Sequence, residues 1–246
     1  MSERKLPTIP LFGLQFYSGS KSSLIDQIHI LLDQKLGLPL IIFTPNPEQI
    51  VQLKGDTQFA GNLQKADVLL PDGAGIVLTA KLKGHKLERL AGIDLMQEVF
   101  TSFRNEEKAV IGGRYNPGKI GELSAYEWHK GYEDIRTPQP EEESSVRAWL
   151  KEKKPLILFV AFGAPWQEQW VIAHHNLLKE SGVKVVMVIG GAFDVLSGRL
   201  QRAPKWMQNL NLEWLYRLLQ EPWRWKRQLR LVAFLPLMVQ EILQKK

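Results

Sequence analysis

The sequence predicts an α/β fold: a mostly parallel sheet flanked by helices, with a helical appendage at the C-terminus. Three observations carry this prediction. Short apolar runs of strand length recur along the chain, amphipathic stretches separate them, and positive charge rises abruptly over the last fifth. Apolar strands alternating with helices mark a sheet covered on both faces, because each parallel crossover lays a helix against the strands.

Strands are predicted at 39–43, 68–70, 109–111, 156–161 and 183–189, and helices at 23–35, 92–103 and 166–179. The acidic run 141–143 reads as a solvated loop leading into a helix around Trp149. A chain of 246 residues, 44% hydrophobic and 24% charged, suits one large domain plus a small addition. The expected division is an α/β domain over 1–205 and a basic, Trp-rich helical appendage over 206–246. No internal repeat is visible.

Up to position 198 there are 22 Lys and Arg against 23 Asp and Glu; beyond it there are 10 against 3, a local balance of +7. Basicity confined to one segment points to a local anionic partner such as lipid headgroups, a diphosphate or nucleic acid. Cysteine is absent, which excludes disulfides, thiolate nucleophiles and Cys-ligated metals and fits a reducing compartment. The N-terminus lacks the apolar core of a secretory signal. The longest apolar stretch, 229–239, is too short to span a bilayer and contains Arg230 and Pro236. The chain is expected to be soluble or membrane-peripheral.

The ends of the predicted strands carry the chemistry. Strand 39–43 runs into Thr44-Pro45-Asn46-Pro47, strand 68–70 into Pro71-Asp72-Gly73-Ala74-Gly75, strand 156–161 into Gly163-Ala164-Pro165-Trp166-Gln167-Glu168, and strand 183–189 into Gly190-Gly191-Ala192-Phe193-Asp194. Ligands of open parallel sheets bind beyond the carboxyl ends of strands, where Gly admits close backbone approach and following helix N-termini favour anions. One crevice lined by Thr44, Asn46, Asp72, Gln167 and Asp194 is the economical reading. Each residue also has a plainer one. Thr44 or Asn46 suits the cap of a helix opening at Pro47, Asp72-Gly73 suits a turn, and Gln167 and Glu168 suit a first helical turn.

Residues 13–22, GLQFYSGSKS, miss the spacing of a phosphate-binding loop, and Gly73-Ala-Gly75 lacks the third glycine of a dinucleotide fingerprint. No Asp-x-Asp pair occurs. His174 and His175 are adjacent, so on a helix they diverge and make a poor chelate; packing or exposure is expected of them. No metal and no cofactor is expected.

The segments TPNPEQI (44–50), ADVLLPDGAGIV (66–77), RLAGIDLMQEV (89–99), FGAPWQEQW (162–170), GGAFDVLSGRLQRAPKW (190–206) and LEWLYRLLQEPWRWKRQLR (212–230) resemble the WecG/TagA/CpsF glycosyltransferases. Those enzymes act in bacterial teichoic acid, enterobacterial common antigen and capsular or exopolysaccharide synthesis. The resemblance implies a Rossmann-like sheet and inverting, metal-independent transfer from a UDP-sugar, typically UDP-N-acetylmannosamine, to an undecaprenyl-diphosphate-linked N-acetylglucosamine. It implies Asp72 as the catalytic base and places Thr44, Asn46, Arg89 and Gln167 in the substrate pocket. Arg217, Arg224 and Arg227 match arginines of an appendage that closes over the site at the membrane.

Gly190, Gly191 and Asp194 complete the expected substrate contacts; Asp194 is favoured for ribose or uracil, and it is also the rival carboxylate to Asp72 for the role of base. Asp72, beside apolar 68–70, is expected to hold its proton above the ordinary carboxylate range. Arg224 and Arg227 are three apart and are expected to share a helix face. Trp214, Trp223 and Trp225 interleave with these arginines, a pattern suited to an anionic membrane surface on the cytoplasmic side. The competing reading is a nucleic-acid-binding α/β protein whose tail stacks bases on Trp; no recognised module supports it. A homo-oligomer stays open.

Overall fold

The computed structural model describes residues 6–34, 37–103, 108–113 and 126–244. The chain opens with a hairpin, β1 (Thr8–Leu11) and β2 (Leu14–Tyr17), and then α1 (Lys21–Asp33). There follow β3 (Leu40–Phe43), α2 (Pro47–Gln52), α3 (Thr57–Gln64), β4 (Val68–Leu69), α4 (Ala74–Leu82), α5 (Gly92–Ser102) and β5 (Lys108–Gly112). Next come β6 (Glu127–His129), α6 (Pro140–Lys153), β7 (Ile157–Ala161), α7 (Trp166–Ala173), α8 (His175–Glu180), β8 (Val185–Val188) and α9 (Ala192–Leu196). The C-terminal part holds α10 (Lys205–Asn209), α11 (Glu213–Gln220), a 3₁₀ turn (Pro222–Arg224) and α12 (Trp225–Leu243).

The eight strands form one sheet in the order β1-β2-β4-β3-β8-β7-β5-β6. The β1–β2 pair is antiparallel and the other pairs are parallel, as the alternation of strands and helices predicts. Period-2 geometry sends alternate residues of the central strands to opposite faces. Ile41, Phe43, Leu158, Val160, Val186 and Val188 pack with Phe59 of α3, Trp170 of α7 and Phe234 of α12. Leu40, Ile42, Ile157, Phe159, Val185 and Met187 pack with Leu24 and Ile28 of α1, Phe100 of α5 and Phe193 of α9. Both faces are therefore covered.

The last helix packs on the rest of the fold. Phe234 and Leu237 of α12 belong to the first core, and Lys83 after α4 pairs with Glu241 at 2.6 Å. Gly75 makes the docking fit: a Cβ there would stand 2.8 Å from the Phe234 ring.

Four expectations need correction. The helix expected over 166–179 is two, α7 and α8, meeting at His174, whose ring stacks on Trp170 with centroids 4.5 Å apart and reaches Glu143 at 2.9 Å. Residues 141–143 are the first turn of α6, not a loop. Pro140 opens that helix, Glu142 closes a capping box with Gln139, and acidic side chains suit the positive end of the dipole. Arg224 stands in the 3₁₀ turn and Arg227 in α12, so the two do not lie on one α-helix; the Arg224 side chain lies outside the described residues. The hairpin β1–β2 and the edge strand β6 are additions to the predicted set.

Phe159 is fully buried and stacks on Phe100 with centroids 5.1 Å apart. Phe159→Ala is expected to lower unfolding free energy by about 3–5 kcal/mol, read by urea denaturation, because the sheet and α5 cannot collapse into the void.

Candidate active site

A cavity of about 520 Å³ opens beyond the carboxyl ends of β4, β3, β8 and β7, which are neighbours in the sheet. Thr44 and Asn46 reach it from the end of β3, Asp72 from β4, Gly163 and Gln167 from β7, and Gly190 and Gly191 from β8. Arg89 lines it ahead of α5, Arg202 lines it ahead of α10, and α11 and α12 add Glu213, Trp214, Arg217 and Arg227. Residues separated by more than 150 positions thus share one cleft. Asp194 is not among the lining residues. Its carboxylate takes Arg199 Nε at 2.9 Å and stands 3.7 Å from Arg217 Nη2, so in this structure it positions arginines.

The floor of the cavity is a chain of amides. Asn46 caps α2 by accepting from the Gln49 N–H at 3.1 Å, while Gln49 Oε1 accepts from the Asn46 N–H at 3.0 Å. The plainer reading of Asn46 as a helix cap is therefore realised within the site. Gln167 Oε1 accepts from the backbone N–H of Gly163 and of Gly190, each at 3.1 Å, and so ties the turn after β7 to the turn after β8. Gln49 Nε2 and Gln167 Nε2 both donate to Glu168 Oε1, at 3.1 and 3.0 Å. Glu168 is fully buried, and its Oε2 has no hydrogen-bond partner among the described residues.

Asp72 follows the short strand β4, with Gly73 next in a left-handed conformation at φ 125°. Only glycine suits that turn twice over, since a Cβ would also meet the Pro47 ring at 2.7 Å. Burial pushes the Asp72 carboxyl from 3.8 up to about 6. The Arg89 charge and the Gly92 N–H, 3.4 Å from Oδ2, pull it down, while Glu213 and Asp94 push it further up. Burial likewise raises Glu168 from 4.5 to about 7, against the hydrogen bonds it accepts.

The arginines around the cavity all face carboxylates. Arg89 pairs with Glu213 at 2.5 Å, and Arg202 pairs with Asp94 at 2.6 Å. Arg217 Nε meets Glu221 at 3.0 Å while Nη1 donates to the Gly191 carbonyl at 3.2 Å, and Arg227 pairs with Glu48 at 3.0 Å. The pairs Arg89–Glu213 and Arg227–Glu48 tie α11 and α12 to residues of the first ninety positions that line the cavity with them. Among the described residues no group of three or more His, Asp or Glu is placed to hold a metal ion.

Gln49, Arg202 and Glu213 line the cavity and Glu168 lies beneath it, and the strand-end reading does not place any of them there. Glu168 was legible only as a first-turn acid of α7, and nothing in the spacing of Arg202 and Glu213 pairs them with Asp94 or Arg89.

The cleft thus brings together a carboxyl of raised proton affinity, Asp72, its neighbour Arg89, and the arginines 202, 217 and 227. The protein is a glycosyltransferase. It belongs to the glycosyl transferase WecG/TagA/CpsF family, whose profile matches residues 9–246. An N-acetylglucosaminyldiphosphoundecaprenol N-acetyl-beta-D-mannosaminyltransferase from Bacillus subtilis (strain 168) is 31% identical, over 98% of this chain and 94% of its own length. The enzyme of the same name from Bacillus spizizenii is 31% identical over 93% of this chain and 90% of its own length. The one from Staphylococcus aureus (strain MRSA252) is 28% identical over 97% and 93%.

Asp72 binds its proton more tightly in the folded chain than in the unfolded one. Its contribution to stability is therefore complete below pH 3.8 and is lost as pH rises through about 6. Asp72→Asn removes the buried charge, so its melting temperature relative to the unsubstituted protein is expected to be higher at pH 8 than at pH 4. Calorimetry at the two pH values checks this; an equal difference at both would show that Asp72 ionises normally.

Proposed function

We propose that the chain transfers a sugar, N-acetylmannosamine or a related hexose, from a UDP-sugar to a polyprenyl-diphosphate-linked N-acetylglucosamine, with inversion and without a metal. The observation that carries this reading is Asp72, partly buried on the cavity wall with its proton affinity raised to about 6. A general base works best when its pKa lies near the working pH, because it is then both ionised and basic enough to accept the proton. Asp72 takes the acceptor hydroxyl proton as that oxygen attacks the anomeric carbon from the face opposite the departing UDP.

The leaving diphosphate needs positive charge. Arg217 and Arg227, with Arg224 beside them in sequence, supply guanidinium forks suited to phosphate oxygens. Arg217 and Arg227 are held by carboxylates and a carbonyl, so a diphosphate entering the cavity exchanges partners with Glu221 and Glu48. Thr44, Asn46, Gly190 and Gly191 frame the donor, and Arg89 stands between base and lid. Asp194 acts on the donor through the arginines it holds.

The acceptor's lipid brings the site to a membrane. On α12, Leu229, Val232, Leu235, Val239 and Leu243 recur every three or four residues, and each is at least half exposed. Exposed Trp223 and Trp225 stand at the head of that stripe, with Lys226 over the Trp225 ring at 5.7 Å. No helix among the described residues is long and apolar enough to cross a membrane. A helix with one apolar stripe docked and a second one outward lies in the interface plane with basic residues at the headgroups. The nucleic-acid reading draws no support, since the chain belongs to a glycosyltransferase family over residues 9–246.

Asp72→Asn is expected to fold and bind UDP-sugar but lose transfer by about 10²–10⁴-fold, the usual contribution of a general base. Mass spectrometry of products from a UDP-sugar panel and a synthetic polyprenyl-diphosphate sugar reads the loss, and undiminished turnover would remove Asp72 as base. The same assay is expected to proceed in EDTA. Replacing Leu229, Val232 and Leu235 together by Ser should abolish flotation with anionic liposomes while leaving turnover of a short-chain, soluble acceptor intact; retained flotation would sink the interfacial role.

A further inference from the structure

We propose that Glu168 is a positioning residue for the transfer reaction: from beneath the cavity it sets the orientation of the Gln167 and Gln49 amides, and through them the shape of the turns after β3, β7 and β8. The proposal rests on the transferase reading above and concerns the same cleft.

A glutamine amide can present either its oxygen or its nitrogen to a given neighbour. At Gln167 the choice matters, because the N–H groups of Gly163 and Gly190 both point at one atom, each at 3.1 Å. Turned by 180°, the amide would set its own N–H groups against those two donors and lose both bonds. The opposite end of the amide decides the matter. Gln167 Nε2 meets Glu168 Oε1 at 3.0 Å, an oxygen that can only accept. That same oxygen takes Gln49 Nε2 at 3.1 Å, which leaves Gln49 Oε1 for the Asn46 N–H at 3.0 Å.

One oxygen atom therefore orients two amides. Its reach covers Asn46 after β3, Gly163 after β7 and Gly190 after β8, and all three residues line the cavity. The link joins α2 to α7 across 119 positions of sequence, which no local capping rule supplies.

The other carboxyl oxygen shows which form does this. Glu168 is 0% exposed, and Oε2 has no hydrogen-bond partner among the described residues. A full charge there would be buried with only one of its oxygens satisfied, which is the costly arrangement. The neutral acid keeps Oε1 as an acceptor and orients both amides equally well. Burial raises the proton affinity of Glu168 in the same sense. The positioning work thus needs a carbonyl-type oxygen at this spot and no negative charge, a requirement that glutamine meets and alanine does not.

The test compares Glu168→Gln and Glu168→Ala by amide hydrogen exchange at Gly163 and Gly190 and by kcat and donor KM. In Glu168→Ala both glycine amides should exchange at least about tenfold faster, and kcat should fall by about 10- to 100-fold, the size expected when a reacting geometry loosens by an ångström. Glu168→Gln should keep the protection and stay within about threefold of the unsubstituted kcat. Wild-type protection and kcat in Glu168→Ala would overturn the proposal, and so would damage in Glu168→Gln equal to that in Glu168→Ala. Should Glu168→Ala not fold, Glu168→Gln decides alone: retained protection and turnover support the proposal, and loss of either overturns it. If the unsubstituted chain transfers no sugar, the transferase reading fails, while exchange at the two glycines still reads the clamp.

Discussion

A parallel sheet turns the carboxyl ends of its strands to one side, and the backbone groups left there must find partners or face solvent. In this protein the ends of β4, β3, β8 and β7 lie side by side, and the Gln167 carboxamide bridges two of them by taking the Gly163 and Gly190 N–H groups. Everything at the site depends on that bridge. It holds two glycine turns in one frame, so backbone can line a cleft where side chains would fill it. Because Gln167 also hands a hydrogen to Glu168, the frame extends to α2 and to Asn46 at the end of β3. The cleft is therefore built mainly from uncharged dipoles, fixed before any ligand arrives, which is the arrangement that stabilises developing charge without reorganising.

Charge is added around the rim. Arg89 is pulled between two duties, lowering the proton affinity of Asp72 and pairing with Glu213 from the appendage. Glu213 itself pushes Asp72 the other way, so α11 brings to Asp72 a carboxylate that partly cancels the nearest guanidinium. Arg217 and Arg227 are similarly committed to Glu221 and Glu48. The guanidinium groups are part-exposed, but their carboxylate partners Glu221 and Glu48 are buried, so each pair both extends a guanidinium at the cavity and keeps a buried carboxylate from standing unpaired.

The sequence revealed the site better than it revealed the frame. Five apolar runs were visible as strands because buried parallel strands are continuously hydrophobic. The hairpin β1–β2 was not, because its turn is Phe12-Gly13, left-handed at both residues (φ 55° and 74°) without the Asn-Gly or Asp-Gly pair that normally marks it. Strand β6 is three residues of mixed polarity at the sheet edge and gives no periodic signal. Among site residues, Thr44, Asp72, Gln167 and Gly190 follow strands and could be read from that position alone. Glu168 could not be, since its meaning lies in Gln49, 119 positions away, and in its complete burial. Asp194 follows a strand too, yet it faces Arg199 and Arg217, because α9 is a short helix that carries it out of the cavity lining.

Glu168 and Asp72 also show how stability and function pull against each other here. Each is a carboxyl whose proton affinity burial has raised, to about 7 and about 6, so each makes the fold less stable at neutral pH than a neutral isostere would. For Asp72 the cost has a use in the proposed reaction, where a carboxylate at its ordinary 3.8 would be a weaker base toward a sugar hydroxyl. For Glu168 no reacting atom is in reach, and a glutamine would hold the same two amides without the penalty. The protonated glutamate and a glutamine are alike at this spot, since each offers one carbonyl-type oxygen to Gln49 and Gln167 and carries its donor on the other side. With that oxygen turned to both amides, either residue fixes the direction of the hydrogen bonds that run out to Asn46, Gly163 and Gly190.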